Sequence, residues 1–217
     1  MGTVLASTII TRVRTILNDT IEPYQWSDAD LLSYINAAQR NICFIKPDAY
    51  IRVAATQLAA GTKQSVTDGA GLVKVTRNMG TDGATAGRPV SFVLMEQFNY
   101  LVSGFHTDSS SATVEVYTYD KDIPGTYWVY PPQPTSNMGY VEEVYEGLPA
   151  NLASTSSAIT LSDHYEDAIM NYVLYRAYSR EVDGISDAQA TKYYNLYVSE
   201  LGRKDLAEST LDPAIKG

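Results

Sequence analysis

Apolar positions in the first 18 residues recur at helical spacing. Ile9, Val13, Ile16 and Leu17 fall on one side and Arg12 and Arg14 off it, which predicts an amphipathic helix ending near Asn18. Pro23 closes the approach to the next element. Ser27-Asp28-Ala29-Asp30 then supplies a serine cap with an acid three residues on, and Leu31, Ile35, Ala38 and Ile42 follow at helical spacing up to a stop before Pro47. Trp26, just ahead of the cap, is placed to staple the first turn against a residue near Leu31.

From Tyr50 the period changes from helical to alternating. Ile51-Arg52-Val53 and Leu72 to Thr76 alternate, and Gly61, Asp68-Gly69, Gly71, Gly80, Asp82-Gly83 and Gly87 punctuate them, so 50–94 reads as short strands and turns. Val90 to Leu94 reads as a strand and Met95 to Val102 as a short helix. Thr113 to Tyr117, Thr126 to Tyr130 and Tyr140 to Tyr145 predict three strands of an antiparallel meander, the middle one stopped by Pro131-Pro132.

Helical spacing returns at Ser162-Asp163 and runs to about Val182, with Ile169, Tyr172, Val173 and Ala177 on the buried side and Asp183-Gly184 as the break. A second helix carries Ala190, Tyr193, Tyr194, Tyr197, Val198 and Leu201 and ends at Gly202 as a C-cap. Beyond it the tail is too short to build a core, yet Leu206, Leu211, Pro213 and Ile215 make it apolar enough to dock elsewhere. The expectation is an α+β protein. Helices of 1–48 and 151–203 pack as a bundle, 49–150 is an inserted antiparallel β-rich region, and 204–217 is a docking tail.

Composition narrows the function. The 217 residues are 45% hydrophobic, enough for one large domain or one with an elaborated insertion. The single cysteine, Cys43, excludes an internal disulfide and a cysteine-based zinc cluster, leaving His106 and His164 as imidazole ligands. The net charge of −9 opposes a sequence-independent grip on phosphate backbones, and like-charged walls would let DNA slide past without adhering. Residues 108–150 hold seven acids and one lysine. Tyrosine, with 17 copies against four Phe and two Trp, suits both cores and wet interfaces. No apolar run approaches the roughly 20 residues of a membrane span, and Arg12 and Arg14 interrupt the opening pattern, so cytosolic synthesis without a signal peptide is expected.

Catalytic chemistry is thinly supplied. Cys43, between Ile42 and Phe44 on a helix, reads as a buried thiol in the core rather than a nucleophile. Asp120, Asp122, Glu142 and Glu143 are the carboxylates from which a metal-dependent hydrolase would be built. Glu142 and Glu143, however, point to opposite faces of a strand, and a solvated acidic face is the simpler reading. The glycines of 61–87 match no phosphate-cradling loop, and no cofactor is expected. Arg176, amid Tyr172, Tyr175 and Tyr178, either bridges to a neighbouring subunit's carboxylate or satisfies an internal partner.

Three blocks resemble one family in order and spacing. They are Trp26-Ser27-Asp28 ahead of the helix containing Ile35 to Arg40; Asp122 to Pro132 followed by a strand ending at Leu148-Pro149; and Ala168 to Ser179. The chain is similar, over essentially residues 5 to 202, to the head-to-tail adaptor proteins of short-tailed phages. The 94–111 segment departs from the family pattern, which carries an Asp and a Pro-Trp stretch there. The resemblance implies a non-enzymatic protein of the virion neck. It would form a homo-oligomeric ring of twelve between the portal protein and the tail nozzle or tail tube, with double-stranded DNA passing through the lumen unbound and no membrane contact. The tail after Gly202 lies outside the matched blocks; on its own apolar residues, Leu206, Leu211, Pro213 and Ile215 are expected to dock on the portal, while Tyr172, Tyr175, Arg176, Tyr178, Tyr193 and Tyr197 would serve packing within or between subunits. The alternative is another tail-associated completion or nozzle protein that does not bind the portal.

Overall fold

A computed structural model describes residues 2–66, 69–101, 104–180 and 184–211. The chain divides into two units, Met1–Ala49 with Pro149–Gly217, and Tyr50–Leu148. Helices and antiparallel or mixed sheets make the α+β class expected from the pattern.

The first unit is helical: α1 (Ala6–Leu17), α2 (Asp28–Ile45), α4 (Glu166–Tyr178) and α5 (Gly184–Leu211). Its core is aliphatic. Ile9, Leu31, Ile35, Ile42, Ile169 and Leu174 have no exposed surface. Ser27 caps α2 by accepting the Asp30 N–H at 3.1 Å. Side-chain amides tie the helices to the 149–165 segment: Gln39 Oε1 accepts the Thr160 N–H at 2.7 Å, and Asn36 Oδ1 accepts the Leu152 N–H at 2.8 Å. Asp163 holds the N-terminal residues by accepting from the Thr3 N–H and hydroxyl, both at 2.7 Å, and from the Val4 N–H at 3.1 Å.

Three helical expectations need correction. In α1 the buried residues are Ala6, Ile9, Ile10, Val13 and Arg14, while Ile16 is exposed. The stripe is rotated because Arg14 turns inward to meet acceptors in the loop before α2 and at its start. Its guanidinium donates to Asp19 Oδ2 at 2.7 Å, to the Trp26 carbonyl at 2.8 Å and to Asp28 Oδ1 at 2.6 Å, and it lies 3.8 Å over the Tyr24 ring. The helix read from Ser162-Asp163 opens as a 3₁₀ turn, Asp163–Tyr165, and its α-helical part ends at Tyr178 with Ser179 as C-cap; Val182 and Asp183 lie outside the described residues. Gly202 does not end α5, which continues to Leu211. Strong helix formers on both sides, Leu201, Arg203, Lys204 and Leu206, outweigh one glycine's cost of about 1 kcal/mol.

The second unit is a sandwich of two sheets. One has the order β1 (Ile51–Gln57), β7 (Tyr140–Gly147), β3 (Gly69–Asn78); the other has β2 (Gly61–Ser65), β6 (Thr126–Gln133), β5 (Val116–Tyr119), β4 (Ser91–Phe92). Leu58, Leu72, Val75, Val90, Val114, Tyr117, Tyr127, Val129 and Val141 form the core between them. Helix α3 (Met95–Leu101) stands where the spacing predicts one, and Phe98 stacks edge-on against Phe105 at 4.6 Å.

The meander holds only for its first two strands. β5 and β6 pair antiparallel, whereas β7 lies in the other sheet between β1 and β3. A pinned connection carries the chain across. Gln133 Oε1 accepts the Gly139 N–H at 2.9 Å, its Nε2 donates to the Ser111 carbonyl at 2.8 Å, and the Gly139 carbonyl accepts from Leu58 at 2.9 Å. A Cβ on Gly139 would stand 1.9 Å from the Ala112 carbonyl oxygen, so only glycine passes. Pro131 and Pro132 do not stop β6. Its ladder with β5 closes at Val116↔Tyr130, so no proline N–H is needed, and the Pro132 carbonyl accepts from Ser111 at 2.9 Å. The strand expected over Val90 to Leu94 shrinks to Ser91–Phe92 because α3 begins at Met95.

Candidate functional site

The tyrosines of α4 and α5 meet within one chain. Tyr178 stacks on Tyr193 at 5.6 Å, Tyr175 meets Tyr194 at 5.2 Å, and Tyr172 meets Tyr197 at 5.3 Å. As the α4 numbers fall the α5 numbers rise, so the helices form an antiparallel hairpin. Aromatic pairs of this kind add about 0.5–1.5 kcal/mol each beyond the area they bury. Tyr197 is fully buried and donates its hydroxyl hydrogen to Asn41 Oδ1 of α2 at 2.7 Å, and burial pushes its phenol above the ordinary tyrosine range. Arg176 is exposed, with its guanidinium 5.7 Å above the Tyr34 ring.

The hairpin's arms are unequal. α4 has 13 residues and α5 has 28. Tyr172 lies beside Tyr197 and is six residues from Glu166, so α5 draws level with the start of α4 near Gly202 and continues roughly 12 Å beyond it. Leu206 and Leu211 belong to this overhang; Pro213 and Ile215 lie outside the described residues.

The acids of the second unit do not converge. Glu142 and Glu143 occupy opposite faces of β7, as the alternation requires. Glu142 accepts from the Thr76 hydroxyl at 2.6 Å and from Arg77 at 2.8 Å, which holds its carboxyl below the ordinary range. Glu143, expected on a solvated face, is instead fully buried. It accepts from the Tyr127 hydroxyl on one oxygen and from the Thr56 hydroxyl at 2.9 Å on the other, and desolvation raises its pKa. Asp120 Oδ1 caps its own turn through the Asp122 N–H at 2.9 Å. Among the described residues no group of three or more His, Cys, Asp or Glu is arranged to hold a metal ion. Cys43 is buried, and desolvation pushes its thiol up to about 11, away from the thiolate a nucleophile needs. His106 lies against the Phe105 ring and pairs with the Thr62 hydroxyl at 2.7 Å; His164 pairs with the Ser162 hydroxyl at 2.8 Å.

What the geometry offers is therefore surface: an overhanging helix and exposed apolar edges. A family model described as SU10 adaptor protein matches residues 5–215. The chain belongs to the SU10 adaptor protein family. No curated protein matches it. Membership makes it a phage head-to-tail adaptor, a structural protein of the virion neck, in agreement with the resemblance carried by the Trp26, Asp122–Pro132 and Ala168–Ser179 blocks. No described helix of the adaptor is long and apolar enough to cross a membrane.

Sequence reasoning missed one surface of the adaptor. Phe92, Leu94, Met95, Glu96 and Tyr119 to Asp122 line a groove of about 780 Å³ beside β4. Phe92 forms one wall, with its ring 5.4 Å from that of Tyr119. The signal was an apolar pair two residues apart, Phe92 at the end of β4 and Leu94 just before α3. Another exposed apolar edge is β1, whose outward residues Ile51 and Val53 are 40% and 60% exposed.

Proposed function

We propose that the adaptor assembles as a ring of twelve copies between the portal protein and the tail nozzle or tail tube, with double-stranded DNA passing through its lumen. The supporting observation is the overhang of α5. A helix that outruns the other arm of its hairpin offers a length of chain on which a neighbour can dock, and a neck protein's neighbours are the portal and the tail. In this reading Leu206, Leu211, Pro213 and Ile215 form the portal-docking apolar set. The tyrosines at 172, 175, 178, 193 and 197 stiffen the hairpin that presents it. A formal charge of −9 per copy suits a passage that must not hold DNA. No catalytic step is assigned to the chain.

Native mass spectrometry of the full chain, alone and mixed with the portal ring from the same genome, tests the reading. Twelve copies on one portal ring are expected. A chain that ignores the portal at every concentration would instead be a completion or nozzle protein elsewhere in the tail.

A further inference from the structure

The four edge strands of the β sandwich are not equally protected. β3 shifts register three times against β7, β2 shifts once against β6, and β4 has only two residues. Bulges and shortness are the devices that keep sheet edges from pairing with other chains. β1 has neither: seven residues run in unbroken register from Ile51↔Glu146 to Gln57↔Tyr140, without proline. On its far side no strand pairs with it among the described residues. Its charged residue, Arg52, donates to the Tyr50 hydroxyl rather than to an acid.

A complementary surface lies on the opposite flank of the same unit. The chain joins β3 to β4 by a bridge between Arg77 and Pro89 and by the Val90 N–H bonding the Thr76 carbonyl at 3.1 Å. β4 therefore lies on the β3 side, whereas β1 is at the far end of the sheet order β1-β7-β3. Beside β4, Phe92 and Leu94 are 46% and 54% exposed, and the charged residues of the groove they share with Tyr119 are Glu96, Asp120 and Asp122 against the single Lys121, so its rim is net acidic. One flank thus presents aliphatic, basic, aliphatic (Ile51, Arg52, Val53); the other presents an apolar floor with an acidic rim.

We infer that the 50–148 units of adjacent copies pack head to tail, the β1 edge of one seated in the groove beside β4 of the next. The inference rests on the ring reading and assigns it an interface. An edge inserted into a groove is touched on both faces, so Ile51 and Val53 meet Phe92 and Leu94 while Arg52 meets the acids. Because the two surfaces differ and lie on opposite flanks, the contact is heterologous, the type that closes into rings.

Charge reversal tests it with the full chain. Arg52→Glu and Asp122→Arg are made separately; Asp120 is left alone because it shapes the turn. By native mass spectrometry each variant, with an unchanged melting temperature, should show about a tenfold smaller ring population than wild type. Mixing the two in equal amounts should restore rings of alternating copies, since every contact then pairs a glutamate with an arginine or an arginine with the native acids. Variants that assemble like wild type, or a mixture that restores nothing, would overturn the interface while leaving the ring standing. Wild type that stays monomeric both alone and with the portal ring would overturn the ring itself.

Discussion

Tyr127 donates its hydroxyl hydrogen to Glu143 inside the β sandwich, where neither side chain has any exposed surface. Desolvation raises the Glu143 pKa above its ordinary value, and the bonds from Tyr127 and Thr56 pull it part of the way back. A carboxyl raised in the folded state contributes its full stability below the unfolded pKa and loses it as pH rises through the folded one. The charged form is therefore a cost at neutral and alkaline pH. Glu143→Gln should be more stable than wild type at pH 8, and the advantage should shrink on acidification. Tyr127→Phe should lose about 1–3 kcal/mol, more at pH 8 than at pH 5, because the bond it removes favours the ionised acid. Urea denaturation at the two pH values checks both signs, and a Tyr127→Phe defect larger at pH 5 would contradict the argument.

Arg14 joins α1 to the loop before α2 through three acceptors, one of which, Asp19, is itself buried and accepts the Gln25 N–H at 2.8 Å. Removing the guanidinium leaves a buried carboxylate without its cation, a loss of about 3–5 kcal/mol. Arg14→Ala should show that loss in the denaturation midpoint. Arg14→Lys should recover little of it, since one ammonium cannot reproduce the planar fork that reaches Asp19, Asp28 and the Trp26 carbonyl together.

Asp163 and Asp30 carry the opposite pH sign to Glu143. Hydrogen bonds from Thr3 and Val4 lower the Asp163 pKa, and those from Ser27 and Arg180 lower that of Asp30. Their contribution is present above the ordinary aspartate value and is lost as pH falls through the depressed one. Acidification below about pH 4 should therefore release the first residues before the helical core melts. Hydrogen exchange should show Val4 and Ala6 losing protection first, and Asp163→Asn should show a similar loss already at neutral pH.

Much of this architecture was legible from periodicity. The capped start of α2, the change to alternation at Tyr50 and the tyrosine-bearing helices stand where their patterns place them, because each rests on local spacing and on what faces a core. The failures share a different physics. Arg14 and Glu143 are charged residues drawn inward by specific partners, in the adjoining loop and the start of α2 for Arg14 and on β6 and β1 for Glu143, and hydropathy counts both as outward. The transfer of β7 to the other sheet depends on Gln133 and Gly139 gripping a connection, which strand propensity does not encode. The β1 edge and the β4 groove are visible only once strand order is known, since nothing in Ile51-Arg52-Val53 marks it as unpaired.

Gly202 is the most instructive of these misreadings, because glycine after a periodic run is a common helix terminator. Here it is inside α5, and a Cβ at this position would meet nothing within 4 Å. Alanine at such a site avoids glycine's extra backbone entropy without steric penalty, so Gly202→Ala should stabilise the overhang by about 0.5–1 kcal/mol and increase helicity by circular dichroism. The ring contacts between the helices end at Tyr197, before the glycine. Deleting 203–217 should therefore leave the melting temperature of the helical unit nearly unchanged while weakening association with the portal ring. Gly202→Ala should leave that association equal or stronger. If the deletion unfolds the chain, the overhang belongs to the fold and portal docking must be sought on another surface; if it folds and still loads onto the portal as wild type does, the overhang serves neither purpose.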